Sequence, residues 1–249
     1  ATPPERVSDT EWPEALRGSA CGVYAMAEPV VDPATLLAAL AAPHRGRIVR
    51  YEAGPDGGGV DFRPDGAVRL AAPALELRPR ATLFAAGEGN AALLARAGGD
   101  PGTMQRRPLC MFLVRGRLPA LFGHCVVGGT NVLTITTAAE RPDGDTVWLV
   151  GGAAAEENAA CPEEALACRS AAAALRRGLP GLELRGARIA AYRAVRAEAS
   201  RSDHRRPSGV HVTRVGPSRW VAWPTKLALA PLLADEVHAE MARELGAPS

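Results

Sequence analysis

The chain has 249 residues, 47% of them hydrophobic and 22% charged, with a formal charge of +2. Those proportions are ordinary for a globular protein, no apolar run reaches the ~18 residues that span a bilayer, and the basic residues are scattered, so neither nucleic acid nor a membrane is expected as a partner. Of the 29 basic residues only Lys226 is a lysine, and the arginine excess accompanies abundant Ala, Gly and Pro, which points to coding bias rather than to a polyanion surface.

The opening residues, ATPPERVSDTEW, lack the basic start and apolar core of a secretory signal, so a cytoplasmic location is expected. Asp32 as N-cap, Pro33 at the first helical position and Leu36, Leu37 and Leu40 predict a helix. RIVRYEAG (47–54) reads as a strand, and VDFRPDGAVRLAAPALELRP as two short strands around an Asp65-Gly66 turn, together a small antiparallel meander. ATLFAAGEGNAALLARAGG (81–99) reads as strand, glycine turn and helix, ended by Gly98-Gly99.

LCMFLVRG, FGHCVVGG, NVLTITTA and TVWLVGG (109–152) then predict a second antiparallel sheet, with a turn at Arg141-Pro142-Asp143-Gly144. Glu156, Glu157 and Asn158 read as a polar loop, and CPEEALACRSAAAALRRGLPG (161–181) as a helix with acids first and arginines last. A strand is expected to begin at Leu182, RSDHRRPSG (201–209) to be an exposed loop, RWVAW a final strand, and 224–246 a long closing helix. No linker marks a sharp division. Cys21, Cys110, Cys125, Cys161 and Cys168 contain no C-x-x-C, and His124 and Cys125 would point to opposite strand faces, so no disulfide framework and no metal site are expected.

TLFAAGEGN, the strands ending VWLVGG, then AYRAVRAE, RPSGVHV and WVAWPTKLALAPLLADEV follow one another in an order that resembles flavoproteins of the D-amino-acid-oxidase and glycine-oxidase superfamily. The resemblance runs from about Val31 to about Ala242. It implies an α+β fold: a mostly antiparallel substrate domain over 1–249, with 81–99 and 219–246 contributing strand-turn-helix pieces to an FAD-binding domain. The G-x-G-x-x-G that holds the FAD pyrophosphate in that family is absent from this sequence. A missing amino-terminal FAD-binding segment or subunit is therefore an expected partner.

The same resemblance implies site residues. Gly87, Gly89 and Asn90 match the family's second flavin-contacting turn, where absence of a Cβ lets backbone approach a cofactor. A plain glycine turn between strand and helix is the alternative. Pro224, Thr225 and Lys226 fall at the last strand-to-helix turn, which faces the flavin, and Lys226 is the candidate catalytic cation favouring negative charge on the reduced ring, a surface lysine being its alternative. Tyr192, Arg193 and Arg196 stand where relatives hold a substrate carboxylate, and the planar guanidinium offers two parallel hydrogen bonds. Arg206 lies in an R-P turn that is close to the flavin in relatives and is a further candidate for the substrate, with a solvated loop position as its alternative. By the period of two Arg196 also shares a strand face with Glu198, and an internal salt bridge is its alternative. The implied activity is oxidation of an amine or 2-hydroxy acid, a small-molecule substrate, by hydride transfer to FAD. The rival is a non-catalytic fragment or split subunit acting as a binding or structural module.

Overall fold

Apolar residues at alternate positions build the longest strands, and glycine turns separate them. The computed structural model describes residues 3–18, 22–54, 57–71, 74–140, 142–203, 205–223 and 226–246. In chain order the strands are β1 (Glu5–Arg6), β2 (Tyr24–Ala25), β3 (Val60–Phe62), β4 (Val68–Leu70), β5 (Leu75–Leu77), β6 (Thr82–Phe84), β7 (Met104–Gly116), β8 (Phe122–Val127), β9 (Thr130–Glu140), β10 (Thr146–Gly151), β11 (Arg188–Ala199), β12 (His211–Gly216) and β13 (Arg219–Trp223). The α-helices are α1 (Pro33–Ala41), α2 (Asn90–Arg96), α3 (Ala153–Glu157), α4 (Glu164–Gly178) and α5 (Ala230–Leu245). The fold is α+β. Among the described residues no helix is long and apolar enough to cross a membrane.

The chain divides into two compact units, one of residues 1–48 and 108–194, the other of 49–107 and 195–249. It passes from one to the other three times, after Ile48, inside β7 and inside β11, and the last two crossings lie within strands, so no linker composition marks them.

In the first unit the sheet order is β11-β7-β10-β9-β8. Cys110, Phe112 and Val114 of β7, Leu133 and Ile135 of β9, and Trp148 and Val150 of β10 are buried on it. Ala167, Ala171, Ala174 and Leu175 of α4 lie at helical spacing in the same core; their small side chains bring the helix axis close to the sheet. The β8–β9 hairpin pairs Val127 with Thr130 across a two-residue loop. Both loop residues, Gly128 and Gly129, have positive φ (57° and 80°), the geometry that a tight hairpin turn demands.

In the second unit β3, β4 and β5 form the antiparallel meander, and a separate sheet has the order β12-β13-β6. β13 pairs antiparallel with β12 and parallel with β6. Trp220, Val221, Ala222 and Trp223 are all buried, a continuous apolar run that suits a strand covered on both faces. Phe84, Leu94, Val221 and Trp223 share one core cluster, so α2 packs on one face. The cap at Asp32 is as expected: its carboxylate accepts from Thr35 Oγ1 (2.6 Å) and the Thr35 amide (2.7 Å), bonds that hold its pKa below the ordinary range.

Several local expectations are corrected. Residues 48–53 form no strand, because no neighbouring strand supplies a ladder there; Val49 stays exposed and Tyr51 Oη donates to Gly59 O at 2.8 Å. Residues 153–157 form α3 rather than a polar loop, closed by Asn158 Nδ2 donating to Ala154 O at 2.8 Å. The strand expected from Leu182 begins at Arg188. The closing helix starts only at Ala230, after a 3-10 turn at Leu227–Leu229, because Pro231 lacks an N–H and is tolerated only in the first turn. β12 was not anticipated.

Candidate functional site

The parallel pairing of β6 with β13 aligns Thr82 with Arg219, Leu83 with Trp220 and Phe84 with Val221. Parallel strands end at the same edge of a sheet, so the Phe84 and Trp223 ends of the two strands lie side by side, at the edge where ligands bind in open parallel sheets. Gly87 and Gly89 form the turn after β6, Asn90 opens α2, and Lys226 follows Trp223 by three positions. Pro224 and Thr225 lie outside the described residues.

The first turn is closed by its own residues. Gly87–Gly89 is a 3-10 turn, and Asn90 Oδ1 accepts the Ala86 amide at 2.7 Å. Gly87 has φ +57°, and a Cβ there would meet nothing within 4 Å, so backbone is presented to open space. Glu88 is tied back by Arg106 at 3.4 Å. Asn90 is fully buried, and its Nδ2 has no hydrogen-bond partner among the described residues. The same holds for Trp223 Nε1 at the end of β13 and for Nε2 of His211, its cross-strand neighbour on β12. Buried donors are rarely left unpaired in a complete structure, so this end of the sheet suits a polar group such as a cofactor. Lys226 is exposed, in extended conformation immediately before the 3-10 turn.

A second cluster in the same unit is built around Glu198, whose side chain is 1% exposed. Arg196 Nε stands 3.9 Å from Glu198 Oε1, Arg206 Nε 3.7 Å from the same oxygen, and Arg107 Nη1 3.7 Å from Oε2. Gln105 Nε2 reaches Oε2 at 3.4 Å. Three guanidiniums thus converge on one buried carboxylate. Arg196 and Arg206, candidates on sequence grounds, are brought together here, and the salt-bridge alternative for Arg196 is present in the structure. Arg107 was missed: in an arginine-rich chain, nothing local sets it apart from Arg106.

Gln105 also fixes the loop that carries Arg206. Its Nε2 donates to Arg205 O at 2.9 Å, and its Oε1 accepts the Arg201 amide at 3.2 Å. Within the loop, Arg201 makes two 2.9 Å bonds to Asp203, which also accepts the Arg205 amide at 3.0 Å. The Arg201 guanidinium, then the Arg205 amide, hold the Asp203 carboxyl well below the usual carboxylate range. A lowered folded-state pKa gives support that is complete above the unfolded value, about 4, and lost as the pH falls below it. Pepsin cleavage within 200–209 should therefore accelerate between pH 4 and pH 2, and Asp203→Asn should abolish that dependence.

Tyr192 and Arg193 belong to the other unit. Tyr192 is 40% exposed, and burial of the remainder raises its phenol pKa. Arg193 spends its guanidinium on backbone carbonyls just past α3, those of Asn158 (3.3 Å), Ala159 (2.6 Å) and Cys161, which makes it a helix-end cap rather than a substrate ligand. His124 bonds Thr134 Oγ1 at 3.0 Å, while Cys125 packs against the core, the opposite-face arrangement expected for strand neighbours.

No family model matches the chain. Over 176 residues, 70% of this chain, it is 39% identical to a Pseudomonas aeruginosa protein named Probable FAD-dependent oxidoreductase PA4991. The crystal structure of the FAD-dependent oxidoreductase PA4991 is similar over 98% of this chain and 66% of that one, with a TM-score of 0.80 and 32% identity. The sequence match spans 44% of the curated relative's length. This chain is therefore homologous to part of an FAD-dependent oxidoreductase and has that enzyme's fold over almost its whole length.

Proposed function

We propose that the chain is the part of a cytoplasmic FAD-dependent oxidoreductase, of the D-amino-acid-oxidase and glycine-oxidase type, that carries the substrate site and one side of the flavin site. The observation that carries this reading is the parallel β6–β13 pair, which brings the Gly87–Asn90 turn and Lys226 to one end of one sheet. Bound FAD would supply a two-electron acceptor for a hydride from the substrate carbon.

The chain's own residues would do the rest. Gly87 and Gly89 would let backbone approach the cofactor, and Asn90 would offer its buried, unpartnered Nδ2. Lys226 would bring positive charge to the ring, with Pro224 and Thr225 beside it in sequence as further cofactor-binding residues. The Glu198 cluster would hold the substrate carboxylate through Arg196 and Arg206, so that orientation of the reacting C–H bond carries much of the rate. In this reading 81–99 and 219–246 belong to the flavin-binding domain and the remainder to the substrate domain. An amino-terminal segment or subunit would supply the pyrophosphate loop.

The test is anaerobic mixing of the flavin-loaded, complemented protein with a panel of carboxylate-bearing amines, 2-hydroxy acids, and the matching carboxyl-free amines and alcohols. Flavin bleaching is expected only with the carboxylates. Bleaching by the carboxyl-free compounds alone would contradict the assigned role of the arginines.

A further inference from the structure

Gln105, on β7 and only 9% exposed, is bonded through both ends of its amide. Its Nε2 donates to Arg205 O at 2.9 Å and to Glu198 Oε2 at 3.4 Å, and its Oε1 accepts the Arg201 amide at 3.2 Å. Past the end of β11 the Ser200 amide still reaches a main-chain oxygen, Thr103 O at 2.9 Å; the next amide, that of Arg201, meets the Gln105 side chain instead. These partners select an amide. Two of them accept and one donates, so the group between them must offer two N–H bonds and a lone pair from one planar end. A carboxylate would offer no donor and would face the carboxylate of Glu198, and a lysine or arginine would offer no acceptor to Arg201.

Two of these bonds lead to the two arginines that the proposed function gives to the substrate carboxylate. Arg205 O belongs to the planar peptide unit that precedes Arg206, so a bond to it fixes the Cα from which that side chain starts. Glu198 is approached from two sides. Gln105 and, two positions along on the same face of β7, Arg107 approach Oε2 at 3.4 and 3.7 Å, while Arg206 and Arg196 approach Oε1 at 3.7 and 3.9 Å. Oε1 accepts no hydrogen bond among the described residues, so the Gln105 bond to Oε2 orients the oxygen that the two arginines face. All these residues belong to the second unit.

We propose that Gln105 is a positioning residue of the substrate site: through the 205–206 peptide and the Glu198 carboxylate it sets where Arg206 and Arg196 stand, without touching the substrate itself. The inference rests on the proposed function, in which those arginines hold the substrate carboxylate. It adds that recognition of the carboxylate passes through one neutral side chain on a different strand. Loss of the amide leaves both guanidiniums in the chain but no longer holds them at a fixed separation, and a carboxylate is gripped by two donors only when their spacing is fixed. Binding should therefore weaken, while substrate that does bind still reacts.

The experiment compares the flavin-loaded, complemented protein with its Gln105→Met variant, in which the side chain keeps its length and much of its volume and loses all three hydrogen bonds. Acetate is titrated against the flavin spectrum, and KM and kcat are measured with a carboxylate-bearing amine or 2-hydroxy acid that bleaches the flavin. The acetate Kd and KM should both rise about tenfold, with kcat changed by less than about threefold, a split that a general loss of folded protein does not produce. A second reading needs no variant to fold: in the wild-type protein acetate should slow amide exchange over 200–209 by roughly threefold or more. An unchanged Kd and KM in Gln105→Met, a loss confined to kcat, or wild-type exchange at 200–209 indifferent to bound acetate would each overturn the proposal. If the wild-type protein neither binds acetate nor oxidises any carboxylate, the proposed function fails and this inference with it; if it does both and the variant matches it, only this inference fails.

Discussion

Replacing Trp148 by alanine is expected to lower the stability of the chain by about 3–5 kcal/mol, the range for emptying a fully packed aromatic site. Trp148 is completely buried on β10, between β7 and β9, and its indole N–H donates to Pro119 O at 2.9 Å. The alanine variant opens a cavity against Phe112, Leu133 and α4, all members of one core. It also leaves the Pro119 carbonyl without this donor. Trp148→Phe keeps most of the volume and loses the hydrogen bond, so its cost should be smaller, about 1–3 kcal/mol. Urea unfolding followed by circular dichroism measures both. A loss under about 1 kcal/mol for the alanine variant would show that this core is not packed as described.

The second large effect concerns the Glu198 cluster. In the complemented enzyme, Arg196→Lys keeps the charge but removes the fork, and kcat/KM for a carboxylate substrate should fall about tenfold or more while flavin affinity holds. Glu198→Gln should act differently. It removes a carboxylate that Arg107, Arg196 and Arg206 all approach, and should cost about 1–2 kcal/mol, less than for a wholly buried pair because water reaches these arginines. A double-mutant cycle separates the roles. Unchanged turnover in Arg196→Lys, with full coupling to Glu198 in stability, would reduce Arg196 to a structural ion pair.

The sequence made some of this visible and hid the rest for identifiable reasons. The α1 cap, the β6-turn-α2 unit and the β8–β9 hairpin were legible because each is specified by residues within a few positions: Asp32 with Pro33, Gly87 with Gly89, Gly128 with Gly129. The Arg196–Glu198 relation was legible for the same reason, since two positions on one strand share a face. That Arg107 and Arg206 join them was not, because about ninety residues separate Arg107 from Glu198 and only the folded chain brings them together. Residues 47–54 look like a strand by composition but have no partner, while β12, with the polar and charged Thr213 and Arg214, looks like loop and is a strand because β13 pairs with it. Strand formation depends on neighbours distant in sequence, helix capping does not.

The central claim is that this chain holds one side of an FAD site and needs a second segment to complete it. The direct measurement is flavin absorbance of the purified chain, alone and coexpressed with the part of the Pseudomonas relative that has no counterpart in it. The account expects a colourless chain alone and about one FAD per complex, with Gly87→Val losing the flavin while the fold persists, because a β-branched side chain is strained at φ +57°. Equimolar flavin on the chain alone would contradict the need for a second segment, and a colourless complex that had nevertheless assembled would contradict the flavin site itself.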